Sequence, residues 1–212
     1  MDASPTPSPL PRGRHKLSVE TVRASQRQRL LDAMLDEVAE RGYEATTVAQ
    51  VVSRARVSRN AFYVLFTDKL DCFLALCEVM SEQLLQETFR VEGDGDWRRA
   101  LHEGTRRYLR WWAARPRFAR AWLVEAPLAG RRAVEHRDAA YERFRQRFAA
   151  LAEWARQQEP RIAPPRPAAT QVIVTGITSL VAVEVEAGRG AELERLADEV
   201  EWVVERLLVD RP

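Results

Sequence analysis

Thr47-Val48-Ala49-Gln50-Val51-Val52-Ser53-Arg54-Ala55-Arg56-Val57-Ser58-Arg59-Asn60-Ala61-Phe62-Tyr63-Val64-Leu65-Phe66 is the stretch that decides how this 212-residue chain is read. Thr47 followed by Gln50 fits a capping box, in which the hydroxyl and the amide side chain each satisfy a backbone N–H at a helix start. Val48, Val51, Val52 and Ala55 then recur at helical spacing over two turns. Ser58 is a second N-cap, and Ala61, Phe62 and Leu65 or Phe66 supply the buried face of another short helix. Joined through Arg56-Val57, the two form a helix-turn-helix.

Toward the N-terminus, Leu31, Met34, Leu35 and Val38 predict an amphipathic helix from about Ser18 to a cap at Gly42. Residues 1–17 are Pro/Ser-rich, have too little apolar surface to fold alone, and are expected to be a disordered arm bearing Arg12, Arg14, His15 and Lys16. Toward the C-terminus, Thr67-Asp68 starts a long helix from Lys69 to about Arg90, ended by Gly93-Asp94-Gly95-Asp96. Helices at about 97–114 and 117–126 are separated by Pro116. A longer one covers 131–158, with Tyr141, Phe144, Phe148 and Leu151 on one face. The run from Gln171 to Ala187 is rich in β-branched residues, which favour a strand locally. Its length exceeds a usual strand, so it is read as a helix apolar on most sides and buried all round. Leu193, Leu196, Val200, Val203 and Leu207 give the last helix a seam to pack against it. The fold class is all-α, with about nine helices.

A hydrophobic share of 46% and a charged share of 30% fit a globular chain and exclude wholesale disorder or a collagen-like repeat. Cys72 and Cys77 lie on different sides of a helix, which argues for packing residues rather than a bridge or metal pair. The longest apolar run, near Val172–Val183, falls short of the roughly 20 residues of a membrane span. The N-terminus lacks the apolar core of a signal peptide. A cytoplasmic protein is expected, with no membrane partner. Of 33 basic residues only Lys16 and Lys69 are lysines, so arginine number reflects composition more than function. Position says more: residues 1–66 carry a net +3 and the rest −1.

The second helix of the pair leaves Arg59, Asn60 and Tyr63 facing away from Phe62 and Phe66. Arginine can fork onto guanine, asparagine can pair with adenine, and a tyrosine hydroxyl can hold a phosphate. The run Gly42-Tyr43-Glu44-Ala45-Thr46-Thr47-Val48, through Ala55-Arg56-Val57-Ser58, to Phe62-Tyr63-Val64-Leu65-Phe66 and Lys69 resembles the TetR family of bacterial repressors. The match spans about 50 residues. It implies a disordered arm at 1–17, a three-helix DNA-binding domain at 18–68, and a helical ligand-binding and dimerisation domain at 69–212. It also implies that Thr47 caps its helix near a phosphate, that Ser58 caps the recognition helix, and that Arg59 and Asn60 read bases. Tyr63 and Lys69 would contact phosphates, and Arg12, Arg14 and Lys16 would follow the backbone or enter a minor groove. Three departures stand out. Arg56 replaces a usual turn glycine, at a cost of about 1–2 kcal/mol if the position is left-handed, so that either the turn differs slightly or an added phosphate contact offsets the strain. Asn60 also replaces a glycine, and Leu65 replaces a histidine or tyrosine.

The C-terminal region holds no catalytic motif, with His102 and His136 standing alone, so no enzyme, metal or cofactor is expected. Its middle helices are rich in aromatics, and in TetR-like proteins this region encloses a ligand cavity. Tyr108, Trp112, Trp122, Tyr141 and Phe144 are the candidate lining, with Glu125 as an anchor for a cationic ligand or a partner for an arginine. Tyr108 and Trp112 share a face, while Trp111 and Leu101 are expected off it. The resemblance implies a homodimer through the last two helices, an operator of double-stranded DNA with palindromic half-sites, and release by a small-molecule effector. Two other readings share the pattern: a transcriptional activator, and a helical sequestering protein with a non-functional helix-turn-helix.

Overall fold

Ser18 opens the first helix by accepting the Thr21 N–H, and α1 (Val19–Arg41) runs to Gly42, where φ turns to 81°. The computed structural model describes residues 18–90, 96–164, 166 and 168–209, so the arm with Arg12, Arg14 and Lys16 lies outside the described residues. Then follow α2 (Val48–Ala55), α3 (Arg59–Leu65), α4 (Lys69–Thr88), α5 (Trp97–Ala113) and α6 (Pro116–Arg120). The chain continues through α7 (Arg131–Gln158), α8 (Ala169–Glu186) and α9 (Ala197–Leu208), with no β-strand among the described residues.

The caps follow the sequence. Asp68 accepts the Asp71 N–H at the start of α4, and Asp96 accepts the Arg99 N–H at the start of α5. Pro116 sits in the first turn of α6, where its missing donor is harmless. Leu30, Leu31, Met34 and Val38 of α1 are buried in one core with Val51 of α2, Phe62 of α3 and Phe73 of α4. Gly104 of α5 lets the backbone of α4 come close, since a Cβ there would stand 2.7 Å from the Thr88 carbonyl oxygen.

Four expectations are corrected. The stretch after α6 is not one α-helix: residues 121–125 form a wide π-type turn and residues 126–129 a 3-10 turn. Leu193 and Leu196 lie in a 3-10 segment (Gly190–Leu196) ahead of α9. The buried stripe of α9 is Val200, Val204 and Leu208, four apart, while Val203 faces out. Helix α8 is buried on one side only, through Ile173, Val174 and Val181, leaving Val172, Leu180 and Val183 exposed. It also reaches the length and hydropathy of a membrane-spanning helix, 18 residues at mean hydropathy 1.3. The apolar run, judged alone, understates it because Ala169, Thr170 and Val185 extend the helix beyond it.

Candidate functional site

Ser58 Oγ accepts the Ala61 N–H at 3.1 Å and fixes the start of α3. Phe62 is fully buried and Phe66 nearly so, and this anchoring turns Arg59, Asn60, Tyr63 and Val64 outward on one face. Arg59 stands 5.9 Å from the Tyr63 ring centre. Val64, at 64% exposure, is the member of this face that charge and hydrogen-bonding capacity do not single out.

Thr47 forms the capping box: its Oγ1 accepts the Gln50 N–H at 3.3 Å, and its own N–H donates to Gln50 Oε1 at 2.8 Å. Arg56 ends α2 in the left-handed region, φ 52° and ψ 46°. Arg29 steadies that turn by donating to the Ala55 and Arg56 carbonyls, each at 3.3 Å. Lys69 lies differently from a free phosphate ligand. Its Nζ donates to the Tyr43 carbonyl at 2.8 Å and the Glu44 carbonyl at 3.3 Å, and sits 4.2 Å from the Tyr43 ring centre. Burial lowers its pKa from the ordinary lysine value. The ammonium therefore ties α4 to the loop after α1.

A second feature is a cavity of about 220 Å³ walled by α4 to α9 and by the wide turn after α6. Tyr108, Trp112, Trp122, Tyr141 and Phe144 all line it. Phe118 stacks between Trp112 and Trp122, at 5.7 and 6.0 Å between ring centres. Burial pushes the Tyr108 hydroxyl up to about 12 and raises that of Tyr141, so both stay protonated at neutral pH. The charged side chains of the described lining are Arg90 and Arg147. Leu101 lines the cavity too, because seven residues are two helical turns and return it to the face of Tyr108. Trp111 is buried elsewhere, edge-on to Trp112 and Phe118, with Arg115 over its ring at 4.4 Å.

Glu125 is not part of the lining. Its Oε2 accepts the Tyr43 backbone N–H at 2.9 Å and its Oε1 meets Arg120 at 3.3 Å. Of the two sequence alternatives, the arginine partner is the one seen. The contact with Tyr43, 82 residues away, carries no sequence signal. Gly42 makes room for it, since a Cβ there would lie 3.0 Å from Oε2.

A third feature is apolar and exposed. Val172 and Val183 of α8, at 51% and 56%, and Trp202 of α9, at 61%, face outward with Leu180 and Val203. Gly176 and Ser179 add small residues to the outer face of α8.

Residues 30–76 match the model of the bacterial regulatory proteins, tetR family. Comparison with curated proteins gives no match. Among solved structures, the fatty acid degradation regulator FadR of Bacillus halodurans superposes with a TM-score of 0.74 at 16% identity, over 84% of this chain and 94% of that one. FadR of Bacillus subtilis, in complex with stearoyl-CoA, gives 0.74 at 15% identity, over 84% and 96%. GusR of Salmonella enterica gives 0.71 at 21% identity, over 92% and 99%. At such identities these likenesses speak for the fold.

Proposed function

We propose that this chain, whose residues 30–76 match the model of the bacterial regulatory proteins, tetR family, is a member of that family and a cytoplasmic transcriptional repressor that binds a palindromic operator as a homodimer and is released by a small-molecule effector. The observation that carries the reading is α3 itself. Phe62 and Phe66 lock its inner side, and its outer side presents Arg59, Asn60 and Tyr63 together. These side chains fork onto guanine, pair with adenine and hold phosphate. Thr47, Arg56 and Ser58 flank them, with the arm residues Arg12, Arg14 and Lys16 as further backbone contacts. Lys69 contributes by placing α4 and the α1–α2 loop, with one of its three donors left for a phosphate.

The exposed apolar face of α8 and α9 supports the dimer. Two copies of it would form a four-helix interface and set two recognition helices on one side of the duplex. Half-sites then fall about 34 Å apart, one turn of DNA. The cavity supports the effector. Its described wall is mainly aromatic and aliphatic, with Arg90 and Arg147 as the charged members, so it is read as a binding space for a largely apolar molecule. One structural neighbour is described as holding stearoyl-CoA, a ligand with such an apolar part. A hundredfold release requires the effector to favour the non-binding state by about 2.8 kcal/mol.

The deciding experiment is selection of bound sequences from random duplex DNA by the purified protein at two salt concentrations. Enrichment of a palindrome is expected. Weak, salt-sensitive binding with no enriched sequence would overturn the reading.

A further inference from the structure

The outer face of α3 carries one side chain that can neither donate nor accept a hydrogen bond. Val64 is 64% exposed, while its neighbours Phe62 and Phe66 do the packing. It stands four residues after Asn60, one turn further along the same face, and beside Tyr63. Local stability does not ask for it: a β-branched residue has no helix-forming advantage at an exposed position. Of the groups that base edges present in the major groove, the C5 methyl of thymine is the one an aliphatic side chain recognises.

We infer that Val64 is a specificity-determining residue that packs on a thymine C5 methyl in each half-site. The inference rests on the DNA-binding reading above and deepens it. Asn60, by its amide, selects adenine on the same face. One helical turn advances about 5.4 Å and one base-pair step about 3.4 Å, so the adenine and the thymine lie one or two steps apart.

The test uses the operator duplex enriched by the wild-type protein. Each thymine of the half-site is replaced in turn, in both halves, by deoxyuridine, which removes the methyl and leaves every hydrogen-bonding group in place. Val64→Ser is assayed in parallel, serine and valine having similar helix propensity. At one thymine position, deoxyuridine weakens wild-type binding roughly fourfold per half-site, about fifteenfold for the dimer, the worth of one buried methyl group each. Val64→Ser binds both duplexes equally. A half-site with no sensitive thymine, or an unchanged deoxyuridine penalty in Val64→Ser, overturns the assignment and leaves the regulator reading standing. Failure to enrich any sequence overturns both.

Discussion

Glu125 and Tyr43 are joined across 82 residues by one hydrogen bond of 2.9 Å, from the Tyr43 amide to the Glu125 carboxylate. Lys69 holds the carbonyl of the same Tyr43 at 2.8 Å, so the peptide groups on both sides of this residue are fixed by distant side chains. The loop after α1 is thereby pinned between α4 and the wide turn after α6. Glu125→Ala removes the acceptor and strands a partly buried N–H, while the exposed Arg120 guanidinium turns to water. A loss of about 1–3 kcal/mol in unfolding free energy is expected, read by urea denaturation. Glu125→Gln keeps an acceptor at the same reach and loses less.

Arg59 and Tyr63 differ in what they should report. Arg59→Ala is expected to weaken operator binding by about 1–3 kcal/mol and relax the preference at one base position. Tyr63→Phe, losing a hydroxyl that would hold a phosphate, should weaken all sequences alike. Competition binding against single-base operator variants separates the two patterns, and full affinity in both mutants would refute the role given to α3.

Arg56 is left-handed at φ 52°, a conformation that costs a non-glycine residue about 1–2 kcal/mol. Arg56→Gly relieves that strain and gives back part of the gain as unfolded-chain entropy. A net stabilisation of up to about 1 kcal/mol is expected in denaturant. Its operator affinity should fall, with a salt dependence shallower by about one unit per subunit, since the arginine would supply a phosphate contact. A mutant both more stable and equally tight would show that the residue is not a DNA contact.

Val183 and Trp202 test the dimer. Val183→Asp or Trp202→Glu places a charge on the exposed face of α8 or α9, where a partner copy would have to bury it. Sedimentation should show the wild type as a dimer and the variants shifted to monomer, with unchanged helicity. A wild-type monomer at micromolar concentration would remove the interface assigned to this face.

Glu184 governs an acid limb. Hydrogen bonds from Arg189, then Arg195, hold its carboxyl at about 2, against 4.5 as a free side chain. The folded state thus takes up the proton less readily than the unfolded chain. Its stabilising contribution is complete above about pH 4.5 and disappears as pH falls toward 2. Glu184→Gln should flatten the loss of stability across that window, measured by denaturation at successive pH values.

The helix-turn-helix was legible because its signals are local: Thr47 and Gln50, Ser58 and Phe62 each act within one or two turns. The aromatic wall was legible as composition, and its membership followed from i, i+4 spacing at Tyr108 and Trp112. Leu101 escaped because its relation to that face spans two turns rather than one. The two faces of α8 read alike in sequence, since a valine turned toward the core and a valine turned outward have the same hydropathy. Glu125 and Lys69 were legible as residue types and not as contacts, because their partners are backbone groups of Tyr43, which every residue but proline offers.

The wide turn at residues 121–125 closes from the Ala126 N–H to the Ala121 carbonyl, one residue more than an α-turn. Within it Trp122 reaches the cavity and Glu125 reaches Tyr43. These two directions are set by chain count. Deleting Leu123 or Val124 would turn the wide turn into an ordinary α-turn and change the angle around the axis between the directions of Trp122 and Glu125. The segment is therefore a phase element, whose length matters as much as the side chains it aims.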